Sequence, residues 1–131
     1  WIDKTDKVVF TGHQEKNVVK KYYAAMDMYV HPTHREGFGM VIQEAAAMCC
    51  PVITTNIPGA SEVLVDGESC VLVEPKDWNS LYVAMKELSE NSQSCAQMGK
   101  KAREYVEENY ERSIMKNNWL KRYEELLGGE L

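Results

Sequence analysis

Short apolar runs that end at turn-forming residues recur along the first part of the chain. They lie at Val8–Phe10, Met28–Val30, Pro51–Thr54 and Cys70–Val73. None of them shows the regular polar alternation of a strand with one solvated face. Continuous apolar runs of this length are typical of strands buried on both faces of a parallel sheet. The pattern therefore predicts about four parallel strands.

Longer segments with apolar residues three and four positions apart separate these runs and follow them. They predict helices at Asn17–Met26, Val41–Cys49, Asp77–Glu90 and Ser113–Leu127, a short helix at Ser61–Leu64, and a helix opened by a capping box at Ser94-x-x-Gln97. The stripes expected to face the core are Val18, Tyr22 and Met26 in the first helix, Val41, Ala45 and Met48 in the second, and Leu81, Met85 and Leu88 in the next long one. Strands that alternate with helices indicate an α/β fold with a Rossmann-like parallel sheet.

The segment between the second strand and the second helix has the composition of a ligand-binding turn. It reads Glu36-Gly37-Phe38-Gly39-Met40, and Glu44 follows in the first turns of the helix. Glycines at a strand-to-helix junction let the backbone approach a ligand, and the helix start offers unpaired N–H groups that suit phosphate. Glu36 and Glu44 would repel a bare phosphate, but they would accept hydrogen bonds from neutral hydroxyls. The segment therefore indicates a nucleotide-sugar, which has a phosphate in its middle and hydroxyls at both ends.

This turn resembles the E-x7-E motif of the retaining glycosyltransferases of family 4, which have the GT-B fold. Other segments match the pattern of that family in the same order, namely Val8-Val9-Phe10-Thr11-Gly12, Tyr22-Tyr23-Ala24-Ala25-Met26-Asp27, Val30-His31-Pro32-Thr33, Pro51-Val52-Ile53-Thr54-Thr55, Val65-Asp66-Gly67 and Val71-Leu72-Val73-Glu74-Pro75. The resemblance covers nearly the whole chain. It implies that the chain is part of the C-terminal, donor-binding domain of such an enzyme, which is one half of a GT-B fold.

The resemblance also implies a role for the residues around the turn. Glu36 would contact hydroxyls of the transferred sugar, which makes it the catalytic candidate, and Glu44 would accept hydrogen bonds from the ribose. The amides of Gly37, Phe38, Gly39 and Met40 would hold the leaving diphosphate. The base would lie near Thr11-Gly12-His13, which makes Gly12 a donor-binding candidate, and Gly59 would contact the donor from a loop that borders the pocket. Phe38 is expected to anchor the turn by packing, and His34 is a minor candidate.

The sheet of this family raises an expectation about the start of the chain. The half-domain has six strands in the order 3-2-1-4-5-6, and the chain matches strands three to six. Strands one and two, and an upstream Arg and Lys that neutralise the diphosphate, have no counterpart in it. We therefore expect a fragment of a longer protein, in which Val8–Phe10 packs against the Met28 strand or two copies pair through exposed edges. The last helix of the family typically reaches the other domain, so Trp119 and Tyr123 are expected to be partly exposed.

Composition narrows the range of partners and locations. The 131 residues carry a formal charge of −5 and no basic stripe, which argues against a nucleic-acid partner. Cysteines 49, 50, 70 and 95 have no C-x-x-C spacing, so they predict reduced, largely buried thiols of a cytoplasmic protein. No run of about 18 apolar residues occurs. The expected location is the cytoplasm, with peripheral association at the inner face of the membrane as an alternative.

The predicted function is retaining transfer of a sugar from a nucleoside diphosphate sugar to a saccharide or lipid-linked acceptor, which the N-terminal domain would bind. Scattered histidines and the lack of Asp-x-Asp fit a mechanism without a metal or another cofactor. The alternative is a non-catalytic nucleotide- or partner-binding α/β domain in which Glu36 and Glu44 are merely solvated. A dehydrogenase is disfavoured because no Gly-x-Gly-x-x-Gly follows a strand. A two-carboxylate hydrolase is disfavoured because Glu36 and Glu44 flank one helix start and do not face each other across a cleft.

Overall fold

The computed structural model of the protein describes residues 8–128. In these residues, three strands and five helices follow one another in the order α1 (Lys16–Ala25), β1 (Tyr29–His31), α2 (Met40–Ala47), β2 (Val52–Thr55), β3 (Cys70–Val73), α3 (Trp78–Glu90), α4 (Ser92–Tyr110) and α5 (Arg112–Leu126). The predicted α/β class is confirmed.

The strands form one parallel sheet in the order β1-β2-β3. Tyr29 pairs with Val52, and Val52 pairs with Cys70, so the three strands begin at the same level and end at the same rim. The four residues of β2 are all buried, because this strand is central and has a neighbour on each side. Within residues 8–128, β1 pairs with β2 on one side only.

The first predicted strand is not formed. Val8, Val9 and Phe10 adopt no regular secondary structure, and 44%, 78% and 82% of their respective surfaces are exposed. The expectation that this segment packs against the next strand is therefore wrong, and the described sheet has three strands where about four were predicted. An apolar run forms a buried strand only where a partner strand satisfies its backbone groups, and Val8–Phe10 pairs with no strand of the described sheet.

The first two helices occur where they were predicted, but each buries a face one residue away from the expected one. Helix α1 buries Tyr23 and packs Val19 against the core, whereas the predicted Tyr22 and Met26 are each 39% exposed. Helix α2 buries its core side with three residues, which are Ile42, Ala45 and Ala46. Of the stripe predicted for it, only Ala45 is buried, Val41 is half-buried, and Met48 is exposed. The small side chains let α2 approach the sheet closely.

The caps of the later helices explain where those helices begin. Asp77 caps α3 through hydrogen bonds from the amides of Asn79 and Ser80. The capping box predicted at Ser94 is wrong, because α4 begins earlier: Asn91 accepts from the Ser94 amide and provides the cap itself. An asparagine is as good an N-cap as a serine, so the upstream residue competes successfully for the start of the helix.

The remaining differences concern exposed or irregular segments. Residues 61–64 form a turn and not the predicted short helix. In α3 the buried residues are Ala84 and Leu88, whereas the predicted Met85 is 40% exposed. Helix α5 has no buried residue, and its Trp119 and Tyr123 are 60% and 54% exposed, as predicted. No helix within residues 8–128 combines the length and the apolar character that a bilayer-spanning segment requires.

The four thiols should differ strongly in reactivity. Cys49 is exposed, whereas burial raises the pKa of Cys50 to about 11 and that of Cys70 to about 12. A thiol reacts through its thiolate, so a raised pKa and restricted access both slow alkylation. We expect iodoacetamide to modify Cys49 of the folded chain first and Cys50 and Cys70 only after unfolding, as read by peptide mass spectrometry. Equal rates at Cys49 and Cys50 in the folded chain would contradict this burial pattern; a Cys49→Ser variant identifies the fast-reacting group.

Candidate functional site

Buried threonines fasten the loop that follows β1 to the rim of the sheet. The Thr54 hydroxyl donates to the carbonyl of His31 over 3.1 Å, and the Thr55 hydroxyl donates to the carbonyl of Thr33 over 2.6 Å. Both threonines are buried, and the two hydrogen bonds that they donate are partly buried. The backbone that carries Glu36 therefore leaves the sheet from a fixed point at the carboxyl ends of the strands, which is where ligands bind in open α/β sheets.

Glu36 is held by hydrogen bonds to both of its carboxylate oxygens. Its Oε2 lies 3.0 Å from Nε2 of His31, and its Oε1 accepts from the amide of Gly37 over 2.9 Å. The hydrogen bond from His31, followed by those from the amides of Gly37 and Gly39, lowers the pKa of Glu36 below its ordinary value. The carboxylate is therefore ionised and oriented before any ligand arrives.

Two residues of this arrangement, Tyr29 and His31, were not among the predicted site residues. Tyr29 Oη lies 3.3 Å from Nδ1 of His31, and their rings are stacked with centroids 5.7 Å apart. The signal for them was present in the sequence: residues two apart on a strand share a face, and here that strand ends beside Glu36. It was missed because the strand was predicted to stop at Val30, one residue before His31.

The turn between Glu36 and α2 leaves the start of the helix without a side-chain cap. Gly39 occupies the N-cap position in the left-handed conformation, with φ of 55° and ψ of 38°, and no side chain caps the helix. The first amides of α2 thus lack a capping partner from a side chain, and the positive end of the helix dipole faces the same space. Met40 is 65% exposed, so this end of the helix is open to solvent. Binding of a phosphate by this helix start stays a prediction.

Phe38 packs against the end of α4, while 45% of its surface stays exposed. Its ring meets that of Tyr110 edge to face with centroids 5.9 Å apart, and Tyr110 Oη donates to the carbonyl of Glu62 over 3.3 Å. Tyr110 is the last residue of α4. The glycine-rich turn is therefore braced from outside by the end of a long helix.

Glu44 faces α1 and not the sheet. It lines a hollow of about 500 Å³ between the two helices, the α1–α2 hollow, together with Lys16, Val19, Lys20, Tyr23, Val41, Ala47 and Met48. Burial, followed by the charge of Glu44, raises the pKa of the Tyr23 phenol. The pKa of Tyr29 is raised mainly by burial and by Tyr23, with further contributions from Glu36 and Glu44. Both acidic side chains therefore contribute to the raised pKa of the half-buried Tyr29 phenol.

Gly12 lies in a neighbouring hollow. This second hollow, of about 810 Å³, is lined by residues 9 and 11–14 on one side and by Val19, Tyr22, Tyr23, Met26 and Tyr29 on the other. It shares Val19 and Tyr23 with the α1–α2 hollow, so the two hollows adjoin at α1. His34 is separate from this space: it lines a small hollow with Trp78 and Leu81 at the other side of the rim.

Gly59 is buried and packs against the backbone that carries Glu36. A Cβ atom added to Gly59 would lie 2.5 Å from the carbonyl oxygen of Glu36 and 2.8 Å from that of Gly37. Gly39 is packed in the same way, with Val63 Cγ2 and the Gly59 carbonyl oxygen within 3.0 Å of an added Cβ. The two glycines therefore interlock the loop after β2 with the turn before α2. A direct contact between Gly59 and a donor stays a prediction.

Comparisons with known proteins agree with this architecture. Residues 3–105 match the family model "Glycosyl transferases group 1". The chain is 33% identical over 120 residues to the capsular polysaccharide biosynthesis glycosyltransferase CapM of Staphylococcus aureus, an alignment that covers 87% of this chain and 32% of CapM. The chain thus spans about a third of the length of that relative.

Solved structures show the same fold. Sucrose-phosphate synthase from Thermosynechococcus elongatus superposes with a TM-score of 0.85 at 28% identity, covering 95% of this chain and 31% of that one. A variant of S. aureus TarM, crystallised with fondaparinux, alpha-GlcNAc-glycerol and UDP, superposes with a TM-score of 0.73 at 27% identity, covering 78% of this chain and 21% of that one. With the family model matched over most of its length, the chain belongs to the group 1 glycosyl transferases.

Proposed function

We propose that this chain is the donor-binding part of a retaining glycosyltransferase that transfers a sugar from a nucleoside diphosphate sugar to a saccharide or lipid-linked acceptor. The observation that carries the proposal is the start of α2, where left-handed Gly39 leaves the helix without a side-chain cap between Glu36 and Glu44. The UDP bound to the TarM variant supports a nucleoside diphosphate as the ligand. The rest of the mechanism rests on the positions of the two carboxylates and on the resemblance to the family.

The diphosphate is assigned to the amides in the first turn of α2. The amide of Gly37 already donates to Glu36, and the amide of Gly39 also stabilises that carboxylate. The amides of Met40 and Val41 are the next ones along the chain, and a helix start leaves such groups without intrahelical partners. Charge that develops on the leaving diphosphate would be stabilised there by oriented dipoles and by the positive end of the helix.

The two carboxylates are assigned to the hydroxyls at the two ends of the donor. Glu36 is ionised and accepts hydrogen bonds only, so it suits the hydroxyls of the transferred sugar. Glu44 borders the α1–α2 hollow and the segment 11–13 borders the adjoining one, so Glu44 suits the ribose and the segment 11–13 suits the base. The hollows have volumes within the range of ligand sites in proteins, roughly 300 to 1,000 Å³. Transfer without a metal remains part of the proposal.

Titration of the chain with UDP and GDP tests the proposal. We expect one of these diphosphates to bind and to raise the melting temperature, and Glu44→Gln to weaken that binding about tenfold, which corresponds to the loss of one hydrogen bond to a charged group. Glu87→Gln removes the same charge from an exposed position on α3 and serves as the matched control. Binding of neither diphosphate, or equal affinities of the Glu44 and Glu87 variants, would contradict the proposed site.

A further inference from the structure

A line of hydrogen-bonding groups runs from Tyr29 at the start of β1 to the carboxylate of Glu36. Tyr29 Oη lies 3.3 Å from Nδ1 of His31, and Nε2 of His31 lies 3.0 Å from Glu36 Oε2. We propose that His31 is a positioning residue that holds Glu36 in the orientation in which its carboxylate meets the sugar of the donor. This proposal rests on the proposed function and names a residue that acts through Glu36 without touching the ligand.

The direction of the hydrogen bond to Glu36 follows from the carboxylate. Glu36 is ionised, and a carboxylate only accepts hydrogen bonds, so Nε2 of His31 donates to it. On the other side of the imidazole, Tyr29 Oη lies within hydrogen-bond distance of Nδ1, and the Tyr29 ring stacks on it. The tyrosine thereby fixes the orientation of the ring that binds the carboxylate.

Tyr29 and His31 are both placed by the backbone of a strand and not by a loop. Tyr29 and His31 are the first and last residues of β1, two apart, so their side chains project from the same face of the sheet. Their rings stack at an interplanar angle of 16°, and the Tyr23 ring meets Tyr29 edge to face at 5.4 Å. Each ring is thus supported by the one behind it, and the imidazole is fixed before Glu36 binds to it.

The contact of Glu36 with the amide of Gly37 fixes the orientation of the carboxylate. One carboxylate oxygen is bound by His31 and the other by the amide of Gly37, so rotation of the carboxylate would break both bonds. The side chains of His31 and Glu36 are 24% and 22% exposed, which limits competition from water. Each oxygen of the carboxylate keeps a further lone pair, which can accept from a sugar hydroxyl. An oriented acceptor loses less entropy on binding than a mobile one.

Variants of His31 separate the hydrogen bond from the packing of its ring. His31→Leu keeps the volume and removes the donor, whereas His31→Gln keeps an amide donor that can reach Glu36. Titration of the Glu36 carboxyl carbon by NMR reads the contact directly. We expect the pKa of Glu36 to rise in the Leu variant and to stay close to that of the unmodified chain in the Gln variant. Tyr29→Phe, which keeps the ring and removes the hydroxyl, should give a smaller rise.

The effect of each variant on ligand binding is measured by comparing a nucleoside diphosphate with the corresponding nucleotide-sugar. UDP and UDP-glucose, and GDP and GDP-mannose, are titrated as pairs into each variant. We expect His31→Leu to weaken binding of the nucleotide-sugar about 5- to 10-fold, as for one hydrogen bond, while the bare diphosphate is affected less than twofold. His31→Gln should restore most of the loss. A variant that merely loosened the fold would weaken both members of a pair alike.

The outcomes distinguish this inference from the proposed function. An unchanged pKa of Glu36 in His31→Leu, or equal losses for diphosphate and nucleotide-sugar, would overturn the positioning role of His31. If the unmodified chain binds none of the four probes, the proposed function fails, and the role of His31 toward the donor sugar fails with it. The NMR titration needs no ligand, so it shows separately whether the contact between His31 and Glu36 exists in solution.

Discussion

Replacement of Gly99 by alanine is expected to destabilise the fold more than any other glycine substitution in the described part of the chain. A Cβ atom at Gly99 would lie 2.0 Å from the carbonyl oxygen of Cys49 and 2.9 Å from its carbonyl carbon. The obstacle is backbone, so no side chain can move aside. We expect the free energy of unfolding to fall by about 3 kcal/mol or more, as for severe overpacking, and the melting temperature to fall by roughly 10 °C.

The reason lies in how α2 is held at its end. Gly99 lets α4 lie directly on the backbone at Cys49, and Arg103 Nη1, one turn further along α4, donates to the carbonyl of Ala47 over 3.2 Å. An arginine at the end of a helix also suits the negative end of its dipole. Separation of α4 from α2 would therefore release the C-terminal end of the helix that carries Glu44.

Chemical denaturation and thermal melting measure this effect. Gln97→Ala, an exposed position on the same helix, is the control and should be nearly neutral. Alanine is intrinsically a better helix former than glycine by about 1 kcal/mol, so propensity alone would stabilise the Gly99 variant. A Gly99→Ala chain as stable as the unmodified one would show that the close approach of α4 to Cys49 is not present in solution.

The sequence predicted the kinds of elements better than the faces that they bury. Parallel strands and amphipathic helices follow from periodicity, which depends on local spacing. The buried side of α1 does not, because Val18-Tyr22 and Val19-Tyr23 are both apolar pairs four residues apart. The sheet lies on the side of Val19 and Tyr23, and only the position of the neighbouring elements decides between the two. The same uncertainty of one residue affected α2, where Ile42 and not Val41 enters the core.

The backbone geometry around the candidate site was predicted where local sequence determines it and missed where it does not. Gly39 takes a left-handed conformation at the helix start, as expected of a glycine in that position. The link from His31 to Glu36 spans five residues and depends on the exact end of β1, which is the least reliable part of a sequence-based prediction. The interlocked Gly39 and Gly59 are 20 positions apart, and no local pattern indicates such a contact.

The exposed segment Val8–Phe10 shows that apolar composition alone does not predict a buried strand. Its residues are as apolar as those of the true strands, yet all three are exposed. Hydrophobicity favours burial of a segment, but burial also requires a surface against which the segment can pack. In contrast, Cys70–Val73 was predicted with its exact bounds, because it pairs along its whole length with β2.

Replacement of Gly59 by alanine is the second change with a large expected effect, and it acts at the other end of α2. Gly59 has φ of +83°, which L side chains rarely adopt, and an added Cβ would overlap the carbonyl oxygen of Glu36 at 2.5 Å. Backbone strain and steric overlap together are expected to lower the free energy of unfolding by about 2 to 3 kcal/mol. Either the loop after β2 moves away or the turn that carries Glu36 is pushed outward.

Gly67→Ala separates the two contributions. Gly67 also has a positive φ, of +72°, but an added Cβ would meet nothing within 4 Å, so only the backbone strain of about 1 to 2 kcal/mol applies. Denaturation should therefore place the Gly59 variant below the Gly67 variant in stability. The amide resonances of Gly37 and Gly39 should shift in the Gly59 variant alone, because their hydrogen bonds to Glu36 depend on the displaced turn. Equal stability of the two variants, with unshifted amides, would mean that the loop after β2 does not hold Glu36 in place.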